Sequence, residues 1–298
     1  MGRMLVIANR DAGAAADAEL ARALAVLRGC ADVELRTTGD ARDLDRALAE
    51  ADGRTVVVAG GDGSLHAVVG ALHRRGELTD RVLALVPLGT GNDFARGLRI
   101  PLDTAEAARQ ACTGAVEDLD LVVDDSGGAV VNNVHAGAGA QASVRGQRWK
   151  DRLNRFGLGR LGYPIGAAMT ATRNTRYRLR VEVDGEVVAD VDRPVLAVAI
   201  GNSPYVGGGT AVTPRADPDD GKVEVMVSFA TGRLTRLGFA LRLLRAEHYQ
   251  RPDVRHLRAS RVAVSGAAFS FSADGEIRGP VRRREWHVER NAWRLVVG

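Results

Sequence analysis

The sequence has few aromatic residues and almost no lysine. Phe, Trp and Tyr make up 4% of its 298 residues, and Lys150 and Lys222 are the two lysines among 41 basic residues. No apolar run reaches the roughly 18 residues that a transmembrane helix requires, so we expect no membrane-spanning segment. The apolar run after Met1 is also too short for the core of a signal peptide. These absences predict a cytoplasmic protein.

Cysteine is equally scarce. Cys30 and Cys112 stand far apart, with no other cysteine near either of them. A disulfide-stapled domain or a zinc site requires clustered cysteines, and this pair fits neither pattern. Both cysteines are therefore expected to stay reduced.

Positive charge is only mildly in excess, at +4, and is carried by arginine. Two basic clusters occur, at 173–180 and 281–285. We interpret them as solvent-exposed faces, with peripheral attraction to an anionic membrane as the alternative. No recognised nucleic-acid-binding module accompanies them, so no nucleic-acid partner is predicted. A homodimer is left open.

The hydrophobic pattern changes at about residue 120. Before it, apolar strands such as 4–9, 55–60 and 81–89 alternate with helical patterns, which predicts an α/β domain with a mostly parallel sheet. After it, strand-like segments separated by Asp-Gly turns predict a mainly antiparallel, β-sandwich-like domain. Helical stretches interrupt this part at about 150–175 and 233–247. We expect domains at 1–120 and 121–289, with 290–298 rejoining the first domain and the active site in the cleft between them.

A glycine-rich segment joins the third predicted strand to the next helix. It reads Gly60-Gly61-Asp62-Gly63-Ser64. Glycines let a ligand approach the backbone closely, and the amides at a helix start favour an anion. Asp62 would suit a phosphate only with a cation between them, which suggests Mg²⁺. The alternative is a glycine-rich turn in which Asp62 caps a helix.

A second glycine-rich turn, Gly89-Thr90-Gly91-Asn92-Asp93, leaves the following strand in the same way. Ligands of open α/β sheets bind beyond the carboxyl ends of the strands, so the two turns would face one crevice. The hydroxyls of Ser64 and Thr90 and the amide of Asn92 would then bind a nucleotide. A third candidate, at 7–13, ends the first strand with Asn9 and Gly13.

These residues resemble the diacylglycerol kinase catalytic family, which includes soluble bacterial diacylglycerol kinases and sphingosine and ceramide kinases. Besides the two glycine-rich turns, 199–225 and the Ser-Ala-Asp-Gly-Glu segment at 272–276 are similar to the family's later motifs, and the resemblance covers nearly the whole chain. It implies an ATP- and Mg²⁺-dependent kinase that phosphorylates the hydroxyl of diacylglycerol or a related lipid at a membrane surface. The chain departs from the family at Ser64, where threonine is usual, and at Arg10, where proline is frequent.

The resemblance also implies roles for individual residues. Asp274 would be the catalytic base, with Glu276 beside it binding Mg²⁺ or orienting the site, and Asp62 would hold the catalytic Mg²⁺. Asp120 would join a metal and water network, and a separate structural Mg²⁺ site would use Asp220 and main-chain oxygens near Asp217 and Lys222. The implied nucleotide-binding residues are Asn9, Gly13, Thr37 (or Thr38), Gly60, Gly61, Asp62, Gly63, Ser64, Gly89, Thr90, Asn92 and Glu276.

Each assignment has a structural alternative. Asp274-Gly275 is also a common hairpin turn, Asp120 could be an ordinary exposed acid, and 216–221 could be a solvated acidic turn. His66 and His135 are interpreted as structural, because neither has a second His or Cys at ligand spacing. For the whole protein, the alternatives are a kinase of a soluble hydroxyl acceptor, such as an NAD kinase, and a nucleotide-binding regulator without catalysis.

Overall fold

The computed structural model describes residues 2–10, 14–140 and 176–298. The chain divides into two compact units, Met1–Leu121 with Arg290–Gly298, and Val122–Glu289. In the described residues, no helix is both long and apolar enough to cross a membrane. The predicted helix at 150–175 and the first three residues of the basic cluster at 173–180 lie outside the described residues.

The first unit is built on a parallel sheet, as predicted. Neighbouring strands follow the order β2, β1, β3, β4 and the end of β16, each pair parallel. Helices separate the strands in the sequence, so each connection is a crossover. The elements are β1 (Gly2–Asn9), α1 (Ala14–Arg28), β2 (Ala31–Thr38), α2 (Ala41–Ala49), β3 (Thr55–Gly60), α3 (Asp62–Arg75), a 3₁₀ turn (Leu78–Asp80), β4 (Val82–Pro87), α4 (Asp93–Gly97), α5 (Thr104–Thr113) and β5 (Ala115–Asp124).

The central strands are continuously apolar because both of their faces are covered. Val56, Val57 and Val58 are successive residues of β3, and all three are fully buried. Successive side chains of a strand point to opposite faces, so a strand buried on one face would alternate instead. This run of valines is what predicted the parallel sheet, and the structure confirms it.

Helix α1 and helix α5 are linked by a disulfide, which corrects the expectation that both cysteines are reduced. Cys30 follows α1 and Cys112 lies in α5, with their Cα atoms 6.2 Å apart and a separation of 82 positions in sequence. The prediction was wrong because spacing along the chain does not report which helices pack together. A disulfide that closes a loop of this length typically stabilises a fold by about 2–4 kcal/mol.

The second unit is an antiparallel, β-sandwich-like domain, as predicted. The strand order is β14, β13, β10, β7, β15 and β16, with β8 and β9 continuing from β15. The elements are β6 (Ala129–Val130), β7 (Asn133–Gly137), β8 (Leu179–Val183), β9 (Glu186–Ala189), β10 (Ala197–Gly201), β11 (Tyr205–Val206), β12 (Thr210–Ala211), β13 (Val223–Ser228), α6 (Arg233–Leu244), a 3₁₀ turn (His248–Gln250), β14 (Val254–Ala259), β15 (Arg261–Ala273) and β16 (Glu276–Val297).

One core cluster of this unit is mainly valine, with a few large aromatic side chains. Phe271 and Trp286 belong to this cluster and meet edge to face, with ring centroids 5.2 Å apart. Trp286 is 1% exposed, so this tryptophan belongs to the core rather than to a membrane-facing surface. Aliphatic side chains therefore fill most of this core, in keeping with the low aromatic content of the sequence.

Candidate nucleotide and acceptor sites

The carboxyl ends of the first four strands meet at one edge of the parallel sheet. In register, Asn9 at the end of β1 lies opposite Thr38 of β2, and Gly60 at the end of β3 lies opposite Pro87 of β4. Thr38, rather than Thr37, is therefore level with Asn9. Gly13 lies outside the described residues. The structure thus brings the sequence-predicted nucleotide residues of four strands to a common edge.

The two glycine-rich turns touch each other through their backbones. A Cβ atom added to Gly89 would lie 2.6 Å from the Gly61 Cα, and one added to Gly61 would lie 3.0 Å from the Gly89 Cα. At Gly60, an added Cβ would lie 2.6 Å from the Ser64 Cβ. Real Cβ atoms do not approach to 2.6 Å, so glycine is required at Gly60 and Gly89, and the 3.0 Å contact at Gly61 is tight.

Asp62 joins the two turns through hydrogen bonds. Its Oδ2 accepts from the Asp93 amide and its Oδ1 from the Phe94 amide, both at 3.0 Å. Asp93 and Phe94 open helix α4, so the carboxylate caps that helix from the neighbouring turn. The capping role that the sequence left open is present, although it serves the next helix rather than α3.

Asn92 sits at the centre of the second turn in the left-handed conformation, with φ of 52°. Its Nδ2 donates to the Gly89 carbonyl at 2.7 Å, which fixes which end of the amide is oxygen. The Oδ1 is buried and has no hydrogen-bond partner among the described residues. A buried amide oxygen without a donor is costly unless a ligand supplies one, so this atom is a candidate ligand contact.

Helix α3 begins directly at the glycine turn and can bind an anion at its amino end. Gly61 is the N-cap residue, and in the described part of the chain no side chain caps this end. A Cβ added to Gly63 would meet nothing within 4 Å. The amino end of a helix carries partial positive charge and amide donors, which suits a phosphate. Thr90 is exposed at the facing turn.

Asp120 is not an exposed acid, so that alternative is wrong. Asp120 is 1% exposed, and its Oδ1 accepts a hydrogen bond from the Asn291 amide at 3.0 Å. The Asp120 carbonyl accepts from the indole Nε1 of Trp293 at 3.1 Å. These bonds tie strand β5 to the end of β16 within the first unit. Its predicted place in a metal network is not tested by them.

Asp274 occupies the hairpin turn between β15 and β16. It has φ of 48° and is followed by Gly275 at 90°, which is the two-residue turn that Asp-Gly favours. Its carboxylate also accepts three backbone amides: Val131 on Oδ2 at 2.7 Å, and Asn132 and Asn133 on Oδ1 at 2.8 and 2.9 Å. The role of residues 131–133 is not visible in the sequence, because main-chain donors leave no signal in side-chain type.

A buried histidine interacts electrostatically with Asp274. His135 of β7 lies opposite Ser272 of β15 in the strand register and is 4% exposed. Burial lowers the pKa of His135 to about 4, although the charge of Asp274 opposes the shift. The imidazole is thus neutral at physiological pH, which agrees with a structural role. Glu276, two residues after Asp274, is exposed.

Two carboxylates of the acidic turn at 216–221 have partners within the protein. Asp220 pairs with Arg258 and its Oδ1 accepts from the Lys222 amide at 3.0 Å. Burial, followed by a hydrogen bond with Asp219, raises the pKa of Asp217 to about 6. Throughout residues 2–10, 14–140 and 176–298, no three or more His, Cys, Asp and Glu side chains gather as a metal site.

Comparison with known proteins identifies both halves of the chain. Residues 3–123 match the diacylglycerol kinase catalytic domain, and residues 132–296 match the YegS C-terminal NAD kinase beta sandwich-like domain. A diacylglycerol kinase of Mycobacterium tuberculosis (strain ATCC 25618 / H37Rv) is 30% identical over 294 residues, covering 94% of this chain and 91% of that protein. A "Probable lipid kinase YegS-like" protein of Stenotrophomonas maltophilia is 33% identical over 296 residues, covering 96% and 92%.

Solved structures share the fold at lower identity. A crystal structure from Bacillus anthracis str. Sterne superposes with a TM-score of 0.81 at 22% identity, covering 99% of this chain and 97% of that chain. Another, described as a diacylglycerol kinase from the same organism, gives a TM-score of 0.73 at 18% identity with the same coverage. The two domain matches and the full-length relatives agree with the order of motifs along the sequence. The chain belongs to the family of diacylglycerol kinases and YegS-like lipid kinases.

Proposed function

We propose that the protein is an ATP- and Mg²⁺-dependent lipid kinase that transfers the γ-phosphate of ATP to a hydroxyl of diacylglycerol or a related lipid. The backbone contact between Gly61 and Gly89 is the observation that carries the nucleotide part of this proposal. It sets two glycine-rich turns side by side at the amino end of α3, where amides and the helix dipole favour phosphate. Family membership carries the choice of a lipid acceptor.

The residues present fit a magnesium-bound nucleotide. The Asn92 Oδ1 is a buried oxygen without a donor in the described chain, and Asp62 supplies a carboxylate in the adjacent turn. Mg²⁺ prefers oxygen ligands and is usually bound by one or two carboxylates plus phosphates and water. Asp62, together with Asn92, would therefore hold the metal, directly or through water. When bound, Mg²⁺ would neutralise charge on the phosphates.

In this proposal Asp274 is the general base. The acceptor hydroxyl oxygen forms a bond to the γ-phosphorus as the bond from that phosphorus to the ADP oxygen breaks, and the hydroxyl proton passes to the Asp274 carboxylate. The amides of residues 131–133 hold that carboxylate in one orientation. A carboxylate can accept several hydrogen bonds at once, because its two oxygens offer about four lone-pair positions. Glu276 is proposed to orient the site.

The function is tested by following phosphate transfer from γ-labelled ATP to a panel of acceptors. We expect label in diacylglycerol dispersed in mixed micelles, dependence on Mg²⁺, and no transfer to NAD or sugars. NAD belongs in the panel because the second domain match is described as NAD kinase-like. Transfer to NAD alone would replace the lipid kinase with a soluble-acceptor kinase. ATP binding without transfer to any acceptor would favour a regulator.

A pair of glycine substitutions in α3 tests the nucleotide site. Gly63→Ala and Gly70→Ala both place a methyl group in the same helix, with open space at Gly63 and ordinary contact, 3.5 Å from Arg74, at Gly70. Each is expected to raise the free energy of unfolding by up to about 0.5–1 kcal/mol. Only Gly63→Ala should weaken ATP binding, by about tenfold or more, because its methyl occupies space for phosphate. Calorimetric titration with ATP and Mg²⁺ measures this, and equal affinity in the two variants would contradict the site.

A further inference from the structure

Helix α6 carries a stripe of leucines that the fold leaves exposed. Leu234 is 84% exposed, and Leu237, Leu241 and Leu244 are 55%, 51% and 53% exposed. Their spacing of three, four and three residues places them on one side of the helix. Scattered exposed leucines are ordinary, but four on one face of a 12-residue helix form a continuous apolar surface.

The opposite side of the helix packs against the protein. Phe239 and Leu243 are 7% exposed and belong to a core cluster with Val212 and Met226. Arg236, on the same side, is 1% exposed and its Nε donates to the Gly232 carbonyl at 3.2 Å. The helix is therefore fixed to its unit by one face, so the leucine stripe points away from this core.

Arginine side chains border the leucine stripe along the helix. Arg233, Arg242 and Arg245 are exposed along the helix and at its C-cap, and α6 contains no Asp or Glu. The basic cluster at 281–285 differs, because there Arg284 pairs with Asp125 at 2.6 Å and Arg283 with Glu285 at 2.6 Å. Apolar side chains flanked by arginine are the composition of a helix that lies in a membrane interface.

The charges and size of the surface favour a membrane over a second copy of the chain. Two α6 helices paired through their leucines would bring Arg233 and Arg245 against like charges, whereas paired helices normally place opposite charges beside the apolar seam. Twelve residues also span only about 18 Å, which is small for the roughly 800 Å² that each partner buries in a stable interface. Exposed Tyr249, in the following 3₁₀ turn, is a residue type enriched at membrane interfaces.

We infer that α6 docks the protein on an anionic lipid surface, with its four exposed leucines in the acyl boundary and its arginines at the headgroups. The inference deepens the proposed lipid kinase function, since it assigns the surface by which the enzyme reaches a membrane-borne acceptor. It does not involve the glycine turns or Asp274.

Vesicle flotation without ATP tests the surface. The full-length protein should bind vesicles of equal parts phosphatidylcholine and phosphatidylglycerol more tightly than phosphatidylcholine alone. Leu237→Ser/Leu241→Ser should weaken that binding at least about tenfold, and Arg242→Gln/Arg245→Gln about tenfold with loss of the preference for anionic lipid. Leu102→Ser and Arg28→Gln/Arg42→Gln alter exposed residues elsewhere and should bind as the parent does.

The remaining outcomes separate this surface from the kinase proposal. Transfer to a short-chain, water-soluble diacylglycerol should be unchanged in Leu237→Ser/Leu241→Ser, while transfer to vesicle-borne diacylglycerol falls. If the protein phosphorylates no lipid, but the leucine variant still loses vesicle binding, the kinase proposal fails and the surface stands. Unchanged vesicle binding by Leu237→Ser/Leu241→Ser would overturn the proposal that α6 docks on lipid. A dimer that this variant dissociates in sedimentation, with vesicle binding unchanged, would assign the leucines to a second copy.

Discussion

Asp274→Asn is expected to lower kcat for lipid phosphorylation by about 10²–10⁴-fold, with little change in the affinity for ATP. The asparagine has almost the same shape, but it cannot take the proton of the acceptor hydroxyl. In the parent protein, backbone amides donate to both oxygens of Asp274. The asparagine NH₂ group cannot accept such a bond, so the free energy of unfolding should fall by about 1–3 kcal/mol. Steady-state kinetics with mixed micelles, below the melting temperature of the variant, separates the two effects.

Asp184 provides a matched control for Asp274. It occupies another Asp-Gly hairpin turn, between β8 and β9, with φ of 48°, and its Oδ1 accepts amides of Ser260 and Arg261 at 3.1 and 2.9 Å. Asp184→Asn should therefore destabilise the same unit in the same manner and leave kcat unchanged. If the two variants lose activity equally once both are folded, Asp274 is a structural turn residue and not the base.

Replacing Asp62 by alanine is expected to reduce phosphate transfer at least about 100-fold. The reason is that the variant lacks the carboxylate that would hold Mg²⁺ beside the reacting phosphates. The same change removes the cap of α4, because the Asp93 and Phe94 amides lose their acceptor. That loss should cost about 1–2 kcal/mol of stability. Activity is measured across a range of Mg²⁺ concentrations, and the melting temperature is followed in parallel.

Asp103→Ala separates capping from catalysis. Asp103 is the N-cap of α5 in the same unit, and its Oδ1 accepts from the Glu106 amide at 2.9 Å. This variant should lose about as much stability as Asp62→Ala while keeping its activity and its response to Mg²⁺. Equal activity in the two variants would reduce Asp62 to a cap that connects the glycine-rich turns and would remove it from the metal site.

The glycine-rich turns are recognisable in the sequence because their chemistry is local. Close backbone approach requires glycine, and this requirement is visible in residue type, so Gly61 and Gly89 could be identified before their contact was known. The parallel sheet was equally accessible, since a strand covered on both faces must be apolar throughout. The sequence predicted the roles of Asp274 and Asp62 only in part. Both residues could be named, but the backbone amides that donate hydrogen bonds to their carboxylates could not.

The disulfide and the exposed face of α6 could not be predicted without the fold. Cys30 and Cys112 are 82 residues apart, and only the packing of α1 against α5 brings them together. The leucines of α6 have the spacing of an ordinary amphipathic helix, whose apolar side would normally be buried. The structure instead covers the side that carries Phe239 and Leu243.

By itself, the sequence determined the class of each unit, the order of its elements and the residue types at the glycine-rich turns, because periodicity and backbone freedom are properties of neighbouring residues. Tertiary structure decided which amides Asp62 and Asp274 accept, which cysteines meet and which face of α6 is left to solvent. Those outcomes depend on contacts between segments far apart in the chain, and such contacts are set by packing rather than by local residue type.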